Sequence, residues 1–209
     1  MIKIIDDFLE DTEYLDWLYN YFKYVGSYQF DFMPKSYVNK AVDLEPMSIT
    51  GLPPKKAEDV LCYIIKKFCA SELSYTGAGF EPWVNVLDMH NDHLNYHVDC
   101  DEQKNEVVPA KLTATLHIGS GADMEGGELA INVNPYTTDE NETFVYDTIF
   151  DLKKDLDNDW IIIPYRCNRL IMFDSILPHA VLPIKKITPN ECRVSFTATC
   201  WDKKIKVRK

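Results

Sequence analysis

The chain has 209 residues, enough for one domain with elaborations and a sizeable core, and its 46% hydrophobic and 12% aromatic content describes a folded protein rather than a disordered one. A net charge of −11 argues against a nucleic-acid partner, because phosphate affinity is built mostly from Lys and Arg. No apolar run approaches membrane-spanning length, no signal-peptide pattern opens the chain, and six cysteines without a C-x-x-C pair read as reduced thiols of a cytoplasmic protein rather than a disulfide framework or zinc site.

Residues 2–5 are short, apolar and β-branched, which predicts an opening strand. Asp11 stands where an N-cap belongs, Tyr14, Leu15, Leu18, Tyr21, Phe22 and Val25 follow at helical spacing, and Gly26 closes the helix. Residues 28–50 read as strands and loops. Pro53 and Pro54 suit the first turn of a second helix, whose apolar stripe is Ala57, Val60, Leu61, Ile64, Ile65 and Phe68. Two amphipathic helices ahead of a run of strands place helices on one face of a sheet.

From Phe80 onward the pattern is mostly β. Strands are expected at Trp83–Met89, Lys111–Ile118, Glu128–Val133, Trp160–Ile163, Arg169–Phe173, His179–Ile184 and Cys192–Trp201. Within 111–118, Leu112, Ala114, Leu116 and Ile118 alternate with Thr113, Thr115 and His117, giving one apolar face. The four glycines of 119–127 form a turn. Residues 134–159 are an acidic, Asn- and Asp-rich insertion with a strand near Thr143–Phe150, and five basic residues in 203–209 form a solvated tail. Many short strands at regular spacing point to a sandwich or barrel.

The chemistry gathers around Tyr96-His97-Val98-Asp99-Cys100. In an extended segment side chains alternate, so His97 and Asp99 point to one side. An imidazole and a carboxylate so presented are two members of a 2-His-1-carboxylate metal set, and His179, in Leu177-Pro178-His179-Ala180-Val181, is the candidate third. Alone, His-x-Asp carries little: with 5 His and 33 acidic residues, chance supplies ~0.8 His-x-acid matches. His90 and His93 compete for metal, since His93 and His97 have the spacing that chelates on a helix, but Asn91, Asp92 and Asn95 favour a loop there. His117 either lines a pocket or faces outward. Asp101 and Glu102 read as a solvated loop. Each candidate has a plain structural alternative: His97 at a solvent edge, His179 as a strand-start residue, Arg193 as an ion-pair partner of Asp174.

The order His-x-Asp, strand-rich middle, His beside Pro, then Arg193-Val194-Ser195 resembles the Fe(II)/2-oxoglutarate-dependent dioxygenases, particularly their prolyl 4-hydroxylase-like branch. Ile2-Lys3-Ile4-Ile5-Asp6-Asp7-Phe8-Leu9, Gly126-Gly127-Glu128-Leu129 and Asn168-Arg169-Leu170-Ile171-Met172-Phe173-Asp174-Ser175 extend the similarity over nearly the whole chain. The resemblance implies an α+β, mainly β fold: a double-stranded β-helix of the jelly-roll or cupin-like kind, at residues 80–202, with two N-terminal supporting helices within 1–79. It implies Fe(II) on His97, Asp99 and His179, with 2-oxoglutarate and O2 as cosubstrates and succinate and CO2 as coproducts. An intact Asp99 favours hydroxylation over halogenation, where the carboxylate is replaced. The substrate would be a small molecule or a peptidyl or free amino acid.

The far carboxylate of 2-oxoglutarate needs a fixed cation, and Arg offers a planar fork. Arg193 and Ser195 share one strand face and are the candidate anchor, with Tyr96 also near the cosubstrate. If 179–184 and 191–200 form a hairpin turning near Thr188–Asn190, Arg193 lies opposite a point roughly 10 to 16 Å beyond His179 at ~3.3 Å per residue. Arg193 follows His179 by 14 positions, later than in the collagen-type enzymes, and Lys185 and Lys186 are the alternative anchors. Two other functions fit the same fold: a non-catalytic metal- or ligand-binding β-helix domain, and an oxidative nucleic-acid demethylase, which the charge disfavours.

Overall fold

The computed structural model describes residues 1–10, 12–34, 55–70, 77–103, 106–119, 123–135 and 159–204. Strand β1 (Ile2–Ile5) opens the chain as expected. Helix α1 (Glu13–Val25) buries Tyr14, Leu15, Leu18, Tyr19 and Phe22 on one face. It ends where Gly26, at φ 87°, turns its N–H onto Phe22 O at 2.7 Å. Its N-cap is Thr12, whose carbonyl accepts from Leu15 and Asp16; Asp11, expected there, lies outside the described residues. Helix α2 (Lys55–Ala70) buries the whole predicted stripe from Ala57 to Phe68, while Pro53 and Pro54 lie outside the described residues.

Strands β2 (Tyr28–Gln29), β3 (Met33–Pro34), β4 (Gly79–Leu87), β8 (Leu112–Ile118), β12 (Leu170–Phe173) and β15 (Arg193–Trp201) join β1 in a seven-stranded sheet of order β1-β12-β8-β15-β4-β2, with β3 on β4. Strands β5 (Leu94–His97), β10 (Leu129–Asn132), β11 (Trp160–Ile163) and β13 (His179–Val181) form a four-stranded sheet of order β11-β10-β13-β5. Every pairing is antiparallel, as in β1 with β12, β12 with β8, β8 with β15 and β10 with β13. Two sheets with their inner faces turned together make the double-stranded β-helix. Two small ladders complete it: β6 (Cys100–Gln103) with β7 (Glu106–Pro109), and β9 (Glu125–Gly126) with β14 (Ile184–Lys186).

In the large sheet, β8 and β15 are buried on both sides. Leu112, Ala114, Leu116 and Ile118 of β8, with Val194, Phe196, Ala198 and Cys200 of β15, join both helices in the main apolar cluster. The opposite faces, carrying Thr113, Thr115 and His117 against Thr199, Thr197 and Ser195, are also buried. So the alternation read in 111–118 separates an apolar from a polar interior, not core from solvent. A second apolar cluster, including Leu129, Ile131, Ile171, Phe173, Leu177 and Val181, fills the space between the sheets.

The hairpin expected between 179–184 and 191–200 does not form. β13 pairs with β10 and β5 in the small sheet, and β15 pairs with β4 and β8 in the large one. Pro183, with no N–H to give a ladder, ends β13's run, and the chain crosses between sheets through β14. Asp101 and Glu102, read as a loop, lie in the β6–β7 ladder. The strand expected near Thr143–Phe150, most of the 134–159 insertion and the end of the basic tail lie outside the described residues. At the N-terminus, Arg166 and Arg169 both engage Asp6, and the Asn168 side chain exchanges two hydrogen bonds with the Leu9 backbone, fastening the chain's opening beside β12. No helix among the described residues is long and apolar enough to cross a membrane.

Candidate metal centre

Neighbouring β5 and β13 put His97 directly opposite His179, with ring centroids 4.3 Å apart. Asp99 follows two residues on, almost fully buried, and the three side chains offer ligand atoms all within 4.8 Å of one another. Nε2 of His97 is 3.8 Å from Asp99 Oδ1, and Nε2 of His179 is 3.8 Å from Oδ2. These separations are too long for hydrogen bonds. Meanwhile His97 Nδ1 is 2.7 Å from Asn95 O and His179 Nδ1 is 3.1 Å from Leu177 O. A carbonyl only accepts, so each Nδ1 carries the ring proton and each Nε2 turns a lone pair toward the cluster. Lone pairs facing a carboxylate with no proton between them repel, and a cation turns that repulsion into attraction.

Burial, reinforced by neighbouring His97 and outweighing Asp99, pushes the His179 pKa down to about 4, which keeps the imidazole neutral and able to ligate at neutral pH. The edge of Phe173 against its ring, 4.7 Å between centroids, fixes its orientation. Asp99 is held in turn: Thr113 donates its hydroxyl proton to Oδ2, Ser175 Oγ lies 2.8 Å from that same hydroxyl, and Ala110 N–H bonds the Asp99 carbonyl at 2.9 Å. Two imidazoles and one carboxyl side chain, each braced from behind, fit Fe(II).

Thr113 and His117 lie four residues apart on the same inner face of β8, so the second polar centre sits ~13 Å along the strand from the first. There Arg193 is completely buried, and among the described residues no carboxylate lies within ion-pairing distance of it. Its Nε donates to Gly127 O at 2.8 Å, Nη1 lies 3.1 Å from Ser195 Oγ, and Nη2 lies 3.4 Å from His117 Nε2. Its guanidinium stands over the Tyr165 ring, 5.0 Å from the centroid. Burial lowers its pKa to about 10, so it stays cationic at neutral pH. The Gly126-Gly127 turn has a physical reason here: Gly127 adopts φ 71°, and a Cβ on it would stand 3.2 Å from Arg193 Cδ.

His117 is fully buried, stacked on Tyr165 at 4.5 Å and 22°, with Nδ1 3.3 Å from the Arg166 N–H. Burial first, then Arg193 and Arg169, hold its pKa well below the ordinary value. Tyr165 donates its hydroxyl to Ile118 O and sits 2.9 Å from Val194 O.

The remaining candidates are placed elsewhere. Tyr96 packs its ring on Trp160 at the start of β11, 5.7 Å between centroids. His93 pairs with Asp92, the backbone N–H of His90 bonds Asp88, and residues 94–97 are strand, so no helical chelate forms at His93 and His97. Asp174 pairs with the N-terminal amine rather than with Arg193. Lys185 and Lys186 are exposed on β14. Thr113, Ser175 and Tyr165 were not singled out from the sequence; for Thr113 the available signal was its place on the same alternating face as His117.

No protein-family model and no curated protein matches the sequence. Solved structures do match. A prolyl hydroxylase from Trichoplax adhaerens, in complex with a hypoxia inducible factor oxygen degradation domain peptide fragment, aligns at TM-score 0.56 and 16% identity over 96% of this chain and 83% of that one. The chain has the fold of the prolyl hydroxylases. A Pseudomonas putida prolyl-4-hydroxylase aligns at TM-score 0.51 and 14% identity over 97% of this chain and 88% of that one. A Phytophthora capsici prolyl 4-hydroxylase aligns at 0.55 and 12%, covering 95% of this chain but 57% of the other. At such identities the likeness speaks for architecture alone.

Proposed function

We propose that the protein is an Fe(II)- and 2-oxoglutarate-dependent dioxygenase that hydroxylates an unactivated C–H bond of a peptidyl or free amino acid, with succinate and CO2 as coproducts. The observation that carries the reading is the pairing of two buried polar centres, one from each sheet: a His97, Asp99 and His179 set with its lone pairs turned inward, and a buried Arg193 without a carboxylate in ion-pairing distance among the described residues. A bare buried guanidinium is costly unless an anion joins it. A dicarboxylate held by metal at one end and by Arg193 at the other answers both needs.

His97, Asp99 and His179 would hold Fe(II), which together with 2-oxoglutarate and O2 supplies the oxidising chemistry. The chain's own residues do the rest. Asn95 O and Leu177 O fix the two ring tautomers, and Thr113 holds the Asp99 carboxylate in place. Arg193, pinned by Gly127 O, and Ser195 bind the far carboxylate. Phe173, Leu177 and Ile131 line the space between the sheets with apolar surface and exclude water. His97 has a side chain 26% exposed against 8% for His179 and 3% for Asp99, so the C–H substrate approaches from the His97 side. The Trichoplax enzyme's peptide complex supports a peptidyl substrate as one form of that approach.

The test is succinate release from 2-oxoglutarate by the iron-loaded protein, with and without candidate peptides and amino acids, beside binding of 2-oxoglutarate in the presence and absence of metal. Metal-dependent binding with uncoupled or coupled succinate release is expected. Binding without any turnover would leave a non-catalytic ligand-binding domain, and no binding would remove the reading.

A further inference from the structure

Thr199 is fully buried on the inner face of β15, and its Oγ1 has no hydrogen-bond partner among the described residues. An unmet buried hydroxyl is a cost that Val, of the same shape, would not carry. Its neighbours give the position a meaning. In register on β8 is Thr113, whose hydroxyl donates to Asp99 of the metal centre. In register on the other side, on β4, is Glu81, almost fully buried although it is an acid. Directly paired residues share a sheet face, so the unmet hydroxyl stands between the metal centre and a buried carboxyl group. Gln29 of the edge strand β2 donates from Nε2 to Glu81 Oε1 at 2.8 Å, a neutral group that holds the carboxylate in place without changing its charge. Trp83, half-buried and two residues on from Glu81, is on the same face.

We infer that Thr199 and Glu81 form a subsite for a cationic nitrogen of the substrate, so that the amino acid oxidised is a basic one, free or peptidyl. This deepens the dioxygenase reading above and rests on it. A carboxylate only accepts, so the group that joins it must donate, and an ammonium or guanidinium has several N–H bonds to give. One N–H to the Glu81 carboxylate and another to Thr199 Oγ1 pair the hydroxyl and match the acid with a charge. Trp83 supplies an aromatic surface beside the same cation. The net charge of −11 draws cations toward the molecule from a distance. The spacing fits as well. β8, β15 and β4 are adjacent, so Glu81 lies two strand spacings, about 10 Å, from the Thr113 that bonds Asp99. A carbon presented at the metal and a nitrogen held at Glu81 are therefore several bonds apart, as an inner methylene and the terminal nitrogen are in lysine and arginine. Proline has no such terminal nitrogen.

The experiment uses the full chain loaded with redox-inert Zn(II) and 2-oxoglutarate, titrated by calorimetry with L-lysine, L-arginine and L-norleucine, each free and as the N-acetyl amide. Norleucine keeps the carbons of the lysine side chain and has no terminal amine. Lysine or arginine, in one of the two forms, is expected to bind at least about tenfold tighter than the matching norleucine, the worth of a hydrogen bond to a charged group. That comparison needs no variant to fold. Glu81→Gln, close to the parent in shape, is expected to abolish the preference and to leave norleucine within about twofold. Thr199→Val is expected to weaken the basic probe about three- to tenfold and to melt no lower than the parent in the absence of ligand, since it removes an unmet hydroxyl. No binding of the basic probes, binding no tighter than norleucine, a preference that survives Glu81→Gln, or unchanged affinity in Thr199→Val would each overturn the inference while metal-dependent binding of 2-oxoglutarate keeps the dioxygenase reading standing. If the unmodified Zn(II) protein does not bind 2-oxoglutarate, the dioxygenase reading itself falls and takes this inference with it.

Discussion

On the side of β8 and β15 that meets the helices stand Leu112, Ala114, Leu116 and Ile118 beside Val194, Phe196, Ala198 and Cys200. On the other side stand Thr113, Thr115 and His117 beside Arg193, Ser195, Thr197 and Thr199. Both sides are shut off from solvent, so exposure does not separate them; chemistry does. Dispersion and the hydrophobic effect reward the first arrangement. Nothing rewards the second unless its hydroxyls, imidazole and guanidinium bond to one another or to a ligand. Most do bond to one another, as with Thr113 to Asp99 and Thr115 to Thr197. Thr199 Oγ1 has no partner among the described residues, and Arg193 has hydrogen bonds but no carboxylate within ion-pairing distance there. On the proposed function, a fold that retains such groups on a fully buried face has one face for stability and one for binding.

Substitutions on the two faces should therefore separate stability from binding. Phe196, stacked on Phe68 of α2 at 6.0 Å, belongs wholly to the helix side. Phe196→Ala is expected to cost about 3–5 kcal/mol of unfolding free energy, read by denaturant titration, with the 2-oxoglutarate affinity of the folded fraction unchanged. Arg193→Met should do the reverse. Cosubstrate binding falls by about 2–5 kcal/mol, while the ligand-free protein melts no lower than the parent because an uncompensated charge has left the interior. A parallel drop in melting temperature for Arg193→Met would make that guanidinium a structural strut and dissolve the distinction. Thr113→Val, which removes the hydroxyl behind Asp99, should weaken metal binding by about 10–100-fold, measured by competition with a chelator, with a smaller effect on melting.

How far this division is written in the sequence depends on the range of each interaction. His97 and Asp99 are two residues apart, so alternation alone put them on one side, and helix periodicity found the buried stripe of α2 and most of that of α1, where Tyr19 is buried in addition and Val25 is exposed. The convergence of His179 on that pair is long-range, and the motif order carried it where spacing could not. The partners of Arg193 were hidden because strand pairing is non-local: the 14 residues from His179 contain a passage from one sheet to the other, which a hairpin estimate cannot represent. Gly127 O reaches the pocket from the β9–β10 connection, the Tyr165 ring and the Arg166 N–H from the β11–β12 connection, and neither leaves a periodic signal. The alternation in β8 was visible, but its polar half reads the same whether it meets water or a second sheet.

The smallest effect tests the middle of that polar half. Thr115 and Thr197 are paired in register, with hydroxyls 2.8 Å apart, between the metal-centre end and the Arg193 end of the inner face. If they form a dry, closed hydrogen bond, Thr115→Val strands its partner and costs about 1–3 kcal/mol, whereas changing both to Val returns the protein to within about 1 kcal/mol of the parent, since two apolar groups of matching shape replace a satisfied pair. Strong coupling in the double-mutant cycle would mean that the inner face is packed as tightly as the helix face, differing only in what holds it together. Additive effects, each a few tenths of a kcal/mol, would mean instead that water reaches this part of the cavity and satisfies each hydroxyl separately. The contrast between the faces would then be one of hydration, and the polar residues would need no ligand to explain them.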